Sequence, residues 1–427
     1  MKIKYKPLLK KLNAKSDRER LAAVALLSRI VESGGLEEPI RSKITNNHIH
    51  TKYSFSPYSP ASAVWHGYMA GLASVGIMDH DSLAGAKEFI EAGKIVGIPT
   101  TIGYEIRTDW SDTKVAGRRI NNPDQISSAY ITTHGIPHDK IDEAEAFLAP
   151  IRAARNERNR KEVEKINEIM KPHGVKLDFE RDVLPISYAR FGGSVTERHL
   201  LFALVKRMIA AKGRGARLIN FLQNDLGISL SKKQTDYLLE VKCGMYNYDV
   251  LNILKSTFVE KIYIETTPDE TVPVRQAVDF AKSINAIASY CYLGDVGDSP
   301  TGDKKAQKFE DSYLEELMQE CADIGFNAVS VMPSRNSDEQ LMRVITLCDK
   351  YGFMPISGED INQPRQNFIC EELGREEFSR LIDTTWALIG HEKAATLNSA
   401  DKMFDGRRPT SGELDELIEK YMKIAKE

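Results

Sequence analysis

Hydrophobic and polar positions follow two rhythms along this chain, and the rhythm changes more than once. Over residues 16–35 apolar side chains recur three or four apart, at Leu21, Val24, Ala25, Leu27 and Ile30, which is the spacing of one helix face. Ser16 with Glu19 reads as a capping box at its start, and Gly34-Gly35 as its stop. From residue 44 short apolar runs alternate with longer amphipathic ones. "ITNNHIH" reads as a strand and "SPASAVWHGYMAGLASV" as a helix with Pro60 in its first turn. "GIMDH" reads as a strand, "SLAGAKEFIEAGKIVG" as a helix and "IPTTIGYEIRTD" as a strand again. Strand, helix and strand in this order predict parallel βα units.

The pattern then turns helical and charged. "IDEAEAFLAPIRAARNERNRKEVEKINEIMK", residues 141–171, predicts long helical sequence interrupted at Pro150, with further helices to about residue 256. Strand–helix alternation resumes near "KIYIETT" and continues through "INAIASYCYLG", "FNAVSVMPS" and "GFMPISGEDI". The stretch 371–427 reads as helices with polar loops packing on the outside. The chain thus divides into a helical N-terminal extension (1–43), an α/β scaffold in two parts (44–140 and 266–427) and a helical insertion (141–265). There is no internal repeat and no low-complexity linker.

Composition narrows the class. With 42% hydrophobic and 28% charged residues the chain can fill a sizeable core, and disorder is excluded as its general state. A net charge of −3 argues against a nucleic-acid coat or a polybasic membrane binder, so no stable nucleic-acid partner is expected. The five cysteines, at 243, 291, 321, 348 and 370, form no CxxC pair, which points away from a zinc ribbon or a disulfide framework and toward a reducing compartment. The basic start lacks an apolar signal core, and no apolar run approaches the ~20 residues that span a bilayer. A soluble, cytoplasmic protein is expected.

The chemistry gathers where strands end. "NNHIH" ends in His48 and His50, "GIMDHD" in Asp79, His80 and Asp81, "TIGYEI" carries Glu105, and "MPISGEDIN" ends in Asp360 and Asn362. In a parallel sheet or barrel all carboxyl ends open on one face, where α/β folds place their sites. Side chains two apart on a strand point the same way, so both histidines can aim at one ion, with Glu105 and Asp360 arriving from other strands. Two imidazoles and two carboxylates suit zinc, manganese or iron better than calcium. A lone His-x-His is ordinary; the coincidence of several such strand ends is what makes a metal site the better reading.

These motifs together resemble the PHP (polymerase and histidinol phosphatase) superfamily. "HIHTKYSFS", "GIMDHDSLAGAKEF", "GYEI" and "ISGEDIN" are similar to its four-motif pattern, over about 44–140 and 266–365, with "DHDSLAGAKEF" the most specific. The resemblance implies a distorted (β/α)7 barrel, here with a helical insertion and an N-terminal extension, and a phosphoester-hydrolysing site of two or three metal ions. It implies His48, His50, Glu105 and Asp360 as ligands of a first ion and His80 as a ligand of a neighbour, with His80 and Asp79 placed for catalysis. His134, in "ITTHGIPH", is a further ligand candidate, although the family's histidine could align with Thr132 instead; His134 and His138 also read as a solvated loop pair. Departures stand at Asn362 and at Tyr290 or Tyr292, each where the family has histidine, and at Phe55 and Ser56 after the first motif. One divalent ion is expected to bind firmly and a second more weakly.

The insertion adds "GGSVTERHLLFALVKRM" (192–208), which resembles a segment of nucleotide-hydrolysing PHP members in which arginine and histidine open a helix. This makes Arg198 and His199 candidate phosphate binders, helped by the helix dipole, and Arg198 a catalytic candidate. A basic run, Lys206, Arg207, Lys212, Arg214 and Arg217, reads equally as a solvated helix face. Near Arg335, Ser337 and Gln340 form a capping box that explains that loop structurally. Trp65, Trp110 and Trp386 lie far apart and read as packing; Gly-rich nucleotide loops are absent. The expected function is a metal-dependent phosphoesterase acting on a nucleotide or small phosphorylated metabolite through a metal-activated water. The alternative is a degenerate barrel that binds a phosphorylated ligand or a protein partner without turnover.

Overall fold

The amphipathic stretches become helices that cover strands made from the short apolar runs. The computed structural model describes residues 5–295 and 308–427. After α1 (Lys6–Lys11) and α2 (Asp17–Glu32) come β1 (Thr45–Ile49), α3 (Pro60–Met69), β2 (Ser74–His80), α4 (Ala86–Val96) and β3 (Thr100–Asp109). The three strands pair in parallel, as the alternation predicts. β4 (Ser128–His134) then returns antiparallel to β3, because a loop and not a crossover helix joins the two.

The insertion contains α5 (Ile141–Met170), α6 (Glu197–Lys212), α7 (Ala216–Asn220), α8 (Lys232–Leu239) and α9 (Tyr246–Ile262). The barrel resumes with β5 (Val272–Pro273), α10 (Val274–Ser283), β6 (Ile287–Cys291), α11 (Leu314–Ile324), β7 (Ala328–Val331), α12 (Asp338–Tyr351) and β8 (Met354–Ser357). α13 (Ser379–Leu397) and α14 (Ser411–Lys426) follow. The strands are ordered β1-β2-β3-β4-β6-β7-β8, with β5 attached to β3. A bridge between Ile49 and Ile361 brings the segment after β8 onto β1, so the sheet nearly closes into a distorted α/β barrel. No helix among the described residues is long and apolar enough to cross a membrane.

Four local expectations need correction. Ser16 stands at the N-cap of α2 in extended conformation, but its side chain makes no capping bond. Arg20 holds the entry instead: its Nη1 donates to the carbonyls of Ala14 and Lys15 at 2.9 and 3.0 Å, while its Nε donates to the buried Glu88 at 2.7 Å. α5 runs unbroken through Pro150, which lies on its exposed face, where water can take the carbonyl that loses its donor. Buried residues on both sides hold the helix in place. Leu148 and Ile151 belong to the barrel core, and Val163, Ile166 and Met170 to the insertion core, so one helix spans both.

"KIYIETT" is not a strand. α9 ends at Ile262, and only Val272–Pro273 pair with β3. Finally, α13 does not merely cover the outside. Its Thr385 accepts a hydrogen bond from Asn47 Nδ2 at 2.8 Å, its Glu392 accepts from the backbone N–H of Ile102 at 2.9 Å, and its Ala387 and Leu388 pack with Ile287, Ala328, Met354 and Ile356. Together these contacts close the barrel at the end opposite the strands' carboxyl ends.

Candidate metal centre

β1 carries one residue too many for its partner: Asn46 pairs with Val75 and Ile49 with Ile77, so three steps on β1 match two on β2. Such a bulge re-aims side chains, and here it turns His48 and His50 toward the barrel axis at the open end. Glycines on both flanks permit it. A Cβ at Gly76 would stand 2.8 Å from Asn47 Cα, and one at Gly358 would stand 2.7 Å from His48 Cβ.

Five side chains converge there. His50 Nε2 is 3.1 Å from Asp360 Oδ1, and Glu105 Oε2 lies 3.0 Å from His80 Nδ1, 3.6 Å from His48 Nε2 and 3.9 Å from His50 Nε2. Two sets, His48-His50-Asp360 and His50-His80-Glu105, each offer ligand atoms within 4.8 Å of one another. They are placed to hold a divalent ion. His50 Nε2 and His80 Nδ1 are buried, close to carboxylates, yet directed so that neither makes a hydrogen bond.

The electrostatics are those of a site with concentrated charge. Burial raises the cost of ionising Glu105, yet His80, His48 and His50 outweigh it and hold its carboxyl at about 2. Asp360 is likewise held well below the usual range, against burial, by His50, His48 and Arg198. Burial pushes His80 down to about 3, so its imidazole is neutral and free to coordinate. For His50 burial works downward, but Asp360, Glu105 and Asp79 together raise it.

A second layer fixes these groups. Asp79 does not face the cavity. It accepts from the Thr51 backbone N–H and hydroxyl at 2.6 Å each and from Ser54 Oγ at 2.6 Å, and Ser54 in turn bonds His50 Nδ1 at 3.0 Å. That chain orients His50 as a carboxylate commonly orients a metal-binding histidine. Asn362 donates from Nδ2 to Asp360 Oδ1 at 2.6 Å, so this residue steadies the carboxylate.

The remaining candidates separate. His134 is the last residue of β4, buried and not in a solvated loop; Thr132, not His134, pairs with Glu105. His134 lines the same cavity from a deeper level, bonds Ser330 Oγ at 3.1 Å, is pushed by burial down to about 3, and belongs to neither ligand set. Tyr290 and Tyr292 do not occupy the inward position of β6. Tyr290 points into the outer core, packs on Trp110 and donates to Glu310 at 3.0 Å. Tyr292, just past the strand, donates to Asp311 and lines the rim of the cavity. Ser289 and Cys291 face inward, Ser289 bonding Ser330 Oγ at 2.7 Å and Cys291 lining the cavity.

Arg198, in the first turn of α6, is buried and lines the cavity with His48, His80, Glu105 and Asp360. His199 is not among the lining residues: its Nδ1 accepts from the Thr196 backbone N–H at 3.1 Å, and its ring meets Phe55 edge-on. The basic run lies elsewhere on the insertion, with Arg207 on Asp182 and Arg214 on the Val241 carbonyl. Sequence reasoning missed Lys255, Arg335 and Tyr130 as lining residues, and missed the carboxylate Glu270 that gathers Arg107, Arg155 and Arg158. Arg107 alone carried a signal, standing two residues beyond Glu105 on the same strand face.

No family model matches the chain. A 5'-3' exoribonuclease of Haemophilus influenzae is 38% identical over 63 residues, which is 15% of this chain and 23% of that protein. The match therefore spans under a quarter of the relative's length. Among solved structures, a "putative metal-dependent phosphoesterase" from Bifidobacterium adolescentis aligns over 81% of this chain and 98% of its own, with a TM-score of 0.50 and 19% identity. An amidohydrolase from Chromobacterium violaceum, solved with sulfate and no metal, aligns over 79% of this chain and 96% of its own, with a TM-score of 0.50 and 16% identity. What these two share with this chain is the fold: an α/β barrel whose strands converge on one open end.

Proposed function

We propose that this chain is a PHP-type metal-dependent hydrolase that cleaves a phosphate ester. The observation that carries the reading is the convergence of His48, His50, His80, Glu105 and Asp360, with two imidazole nitrogens buried and unbonded, beside a buried arginine in the same cavity. A carboxylate as deep as Glu105 is costly unless a cation meets it, and Asp360 stands half-exposed at its rim. An imidazole nitrogen has one lone pair and serves one ion, whereas a carboxylate can serve two. His48, His50 and Asp360 would hold the firm ion, His80 the weaker one, and Glu105 both. When bound, such ions supply positive charge that polarises the ester and acidifies a water.

The chain's own residues complete the task. Arg198 grips the phosphoryl oxygens and stabilises the charge that builds on them. Asp79, through Ser54, keeps His50 turned to the axis. Asn362 keeps Asp360 in place. Neutral His80 is suited to coordinate through its open nitrogen. The name of the H. influenzae relative puts phosphodiesters of RNA among the substrates to try, beside nucleotides and small phosphomonoesters.

A second reading, binding without turnover, is favoured by one observation: at the level of Glu105, β4 and β6 offer the hydroxyls of Thr132 and Ser289, and the imidazole of His134 lies two residues away along β4. One experiment separates the two. Metal-stripped protein is assayed with p-nitrophenyl phosphate and bis(p-nitrophenyl) phosphate before and after manganese is restored. Metal-dependent turnover that Arg198→Ala weakens mainly through KM supports the enzyme. Stoichiometric metal without turnover of either probe supports the binder, and full turnover after rigorous stripping contradicts both.

A further inference from the structure

Beside the cavity lies a buried charge cluster that the reaction above does not use. Glu270, in the segment between α9 and β5, is 1% exposed. It meets Arg158 Nε at 2.6 Å and Nη2 at 2.9 Å, Arg155 Nε at 3.3 Å and Arg107 Nη1 at 3.5 Å. The arginines come from different parts: Arg107 from β3, two residues past Glu105, and Arg155 and Arg158 from α5.

Each arginine reaches a second anchor. Arg107 Nη2 lies 3.6 Å from Glu197, the neighbour of Arg198. Arg155 Nη1 lies 2.8 Å from Asp81, the neighbour of His80, and 3.4 Å from Ser194 Oγ, which itself donates to Asp81 at 3.0 Å. Arg158 pairs with Glu162. Asp81 sits at φ +50°, a backbone state that needs its surroundings to hold it. One carboxylate thus stands a single arginine away from Asp81 and from Glu197, the chain neighbours of His80 and Arg198, the two sides across which a phosphate would lie.

We propose that Glu270 is a positioning residue that sets the span between the His80 side of the metal centre and Arg198. The inference rests on the reading of Arg198 as the phosphate anchor. A carboxylate has about four acceptor sites and can serve several guanidinium forks at once. Its bonds are strengthened because the four groups are buried. Without its charge, three guanidiniums face one another with less to hold them, and they separate, taking Glu197 and Asp81 with them. Arg198 and His80 then leave their shared register, while His48 on β1, His50 just past it and Asp360 after β8 stay where they are.

The test is calorimetric titration of inorganic phosphate into the manganese-loaded full chain, with metal content measured on the same samples. Wild type, Arg198→Ala, Glu270→Gln and the double variant are compared. Glu270→Gln is expected to weaken phosphate about tenfold, to keep the firmly bound manganese, and to add less than twofold to Arg198→Ala. Glu270→Asp, which restores the charge, is expected to recover part of the loss. Wild-type phosphate affinity in Glu270→Gln, or independent, multiplying effects in the double variant, overturns the proposal. If Arg198→Ala itself binds phosphate like wild type, the phosphate-anchor reading fails first. If Glu270→Gln does not fold, Arg107→Lys, which keeps the charge but loses the fork, is read by the same criteria.

Discussion

Two buried polar clusters lie side by side in this molecule, and they are built differently. In the network around Glu270, every arginine meets at least one carboxylate of the chain itself: Arg107 meets Glu197 and Glu270, Arg155 meets Asp81 and Glu270, Arg158 meets Glu162 and Glu270. At the barrel's open end, imidazoles and carboxylates crowd together, yet His50 Nε2 and His80 Nδ1 are left without a hydrogen bond. Both clusters bear the cost of burying charge. One offsets it by ion pairs within the chain, although Asp81 Oδ1 and Glu162 Oε2 there also lack a hydrogen bond. The other offers its lone pairs to something the chain does not supply. Burial of polar groups alone thus says little about function; the direction in which their lone pairs are left open says more.

Four changes break or sharpen that contrast. The largest effect is expected from His50→Ala, which removes the nitrogen common to both ligand sets. Bound metal should fall below stoichiometry by elemental analysis, and turnover should drop by at least about a thousandfold, since the ion supplies most of the charge stabilisation. Next is Glu162, in the arginine network, whose carboxyl burial raises to about 7 despite Arg158. A raised acid gives its full stability below the unfolded value and loses it as pH climbs through the folded one. Wild type should therefore lose up to about 3 kcal/mol relative to Glu162→Gln between roughly pH 4.5 and 7. Chemical denaturation of both proteins at pH 5 and pH 8 reads this out; a gap that does not change with pH refutes it.

Asp79→Asn addresses the boundary between the clusters and their support. The substitution keeps the shape but removes the charged acceptor behind Ser54 and His50, and manganese affinity should fall about 10–100-fold while the fold survives. Competition with a chelator measures it, and unchanged affinity would remove Asp79 from the support of the site. The smallest effect is expected at Tyr290, which points away from both clusters. Tyr290→Phe should cost about 1–2 kcal/mol for the lost bond to Glu310, seen in denaturant melts, and should leave metal content untouched. A loss of metal would return that tyrosine to the centre.

Much of the candidate site was legible because its signals are local. Strands of five to ten residues that carry His48, His80 and Glu105, with His50 just past the first, are readable from apolar runs and turn residues, and parity along a strand puts His48 and His50 on one side. Parity failed where the strand gave no phase marker. β6 alternates small residues with tyrosines, and only its register with β4 and β7 shows that Ser289 and Cys291, not Tyr290, face inward. The bulge in β1 was hidden because it depends on Gly76 and Gly358, which sit on neighbouring strands or just beyond them. The continuity of α5 through Pro150 depends on tertiary burial on both sides of it. The arginine network joins residues more than a hundred positions apart, such as Arg155 with Glu270, and no local pattern announces such a pairing.

The central claim, that the open end of the barrel is shaped around a cation, is tested most directly by anomalous X-ray scattering. Crystals of the manganese-loaded chain would be measured on either side of the manganese absorption edge. The account predicts a strong anomalous peak within coordination distance of His48, His50 and Asp360, with a weaker neighbour beside His80 and Glu105. Manganese bound elsewhere on the chain, with no peak among those five side chains, would contradict it.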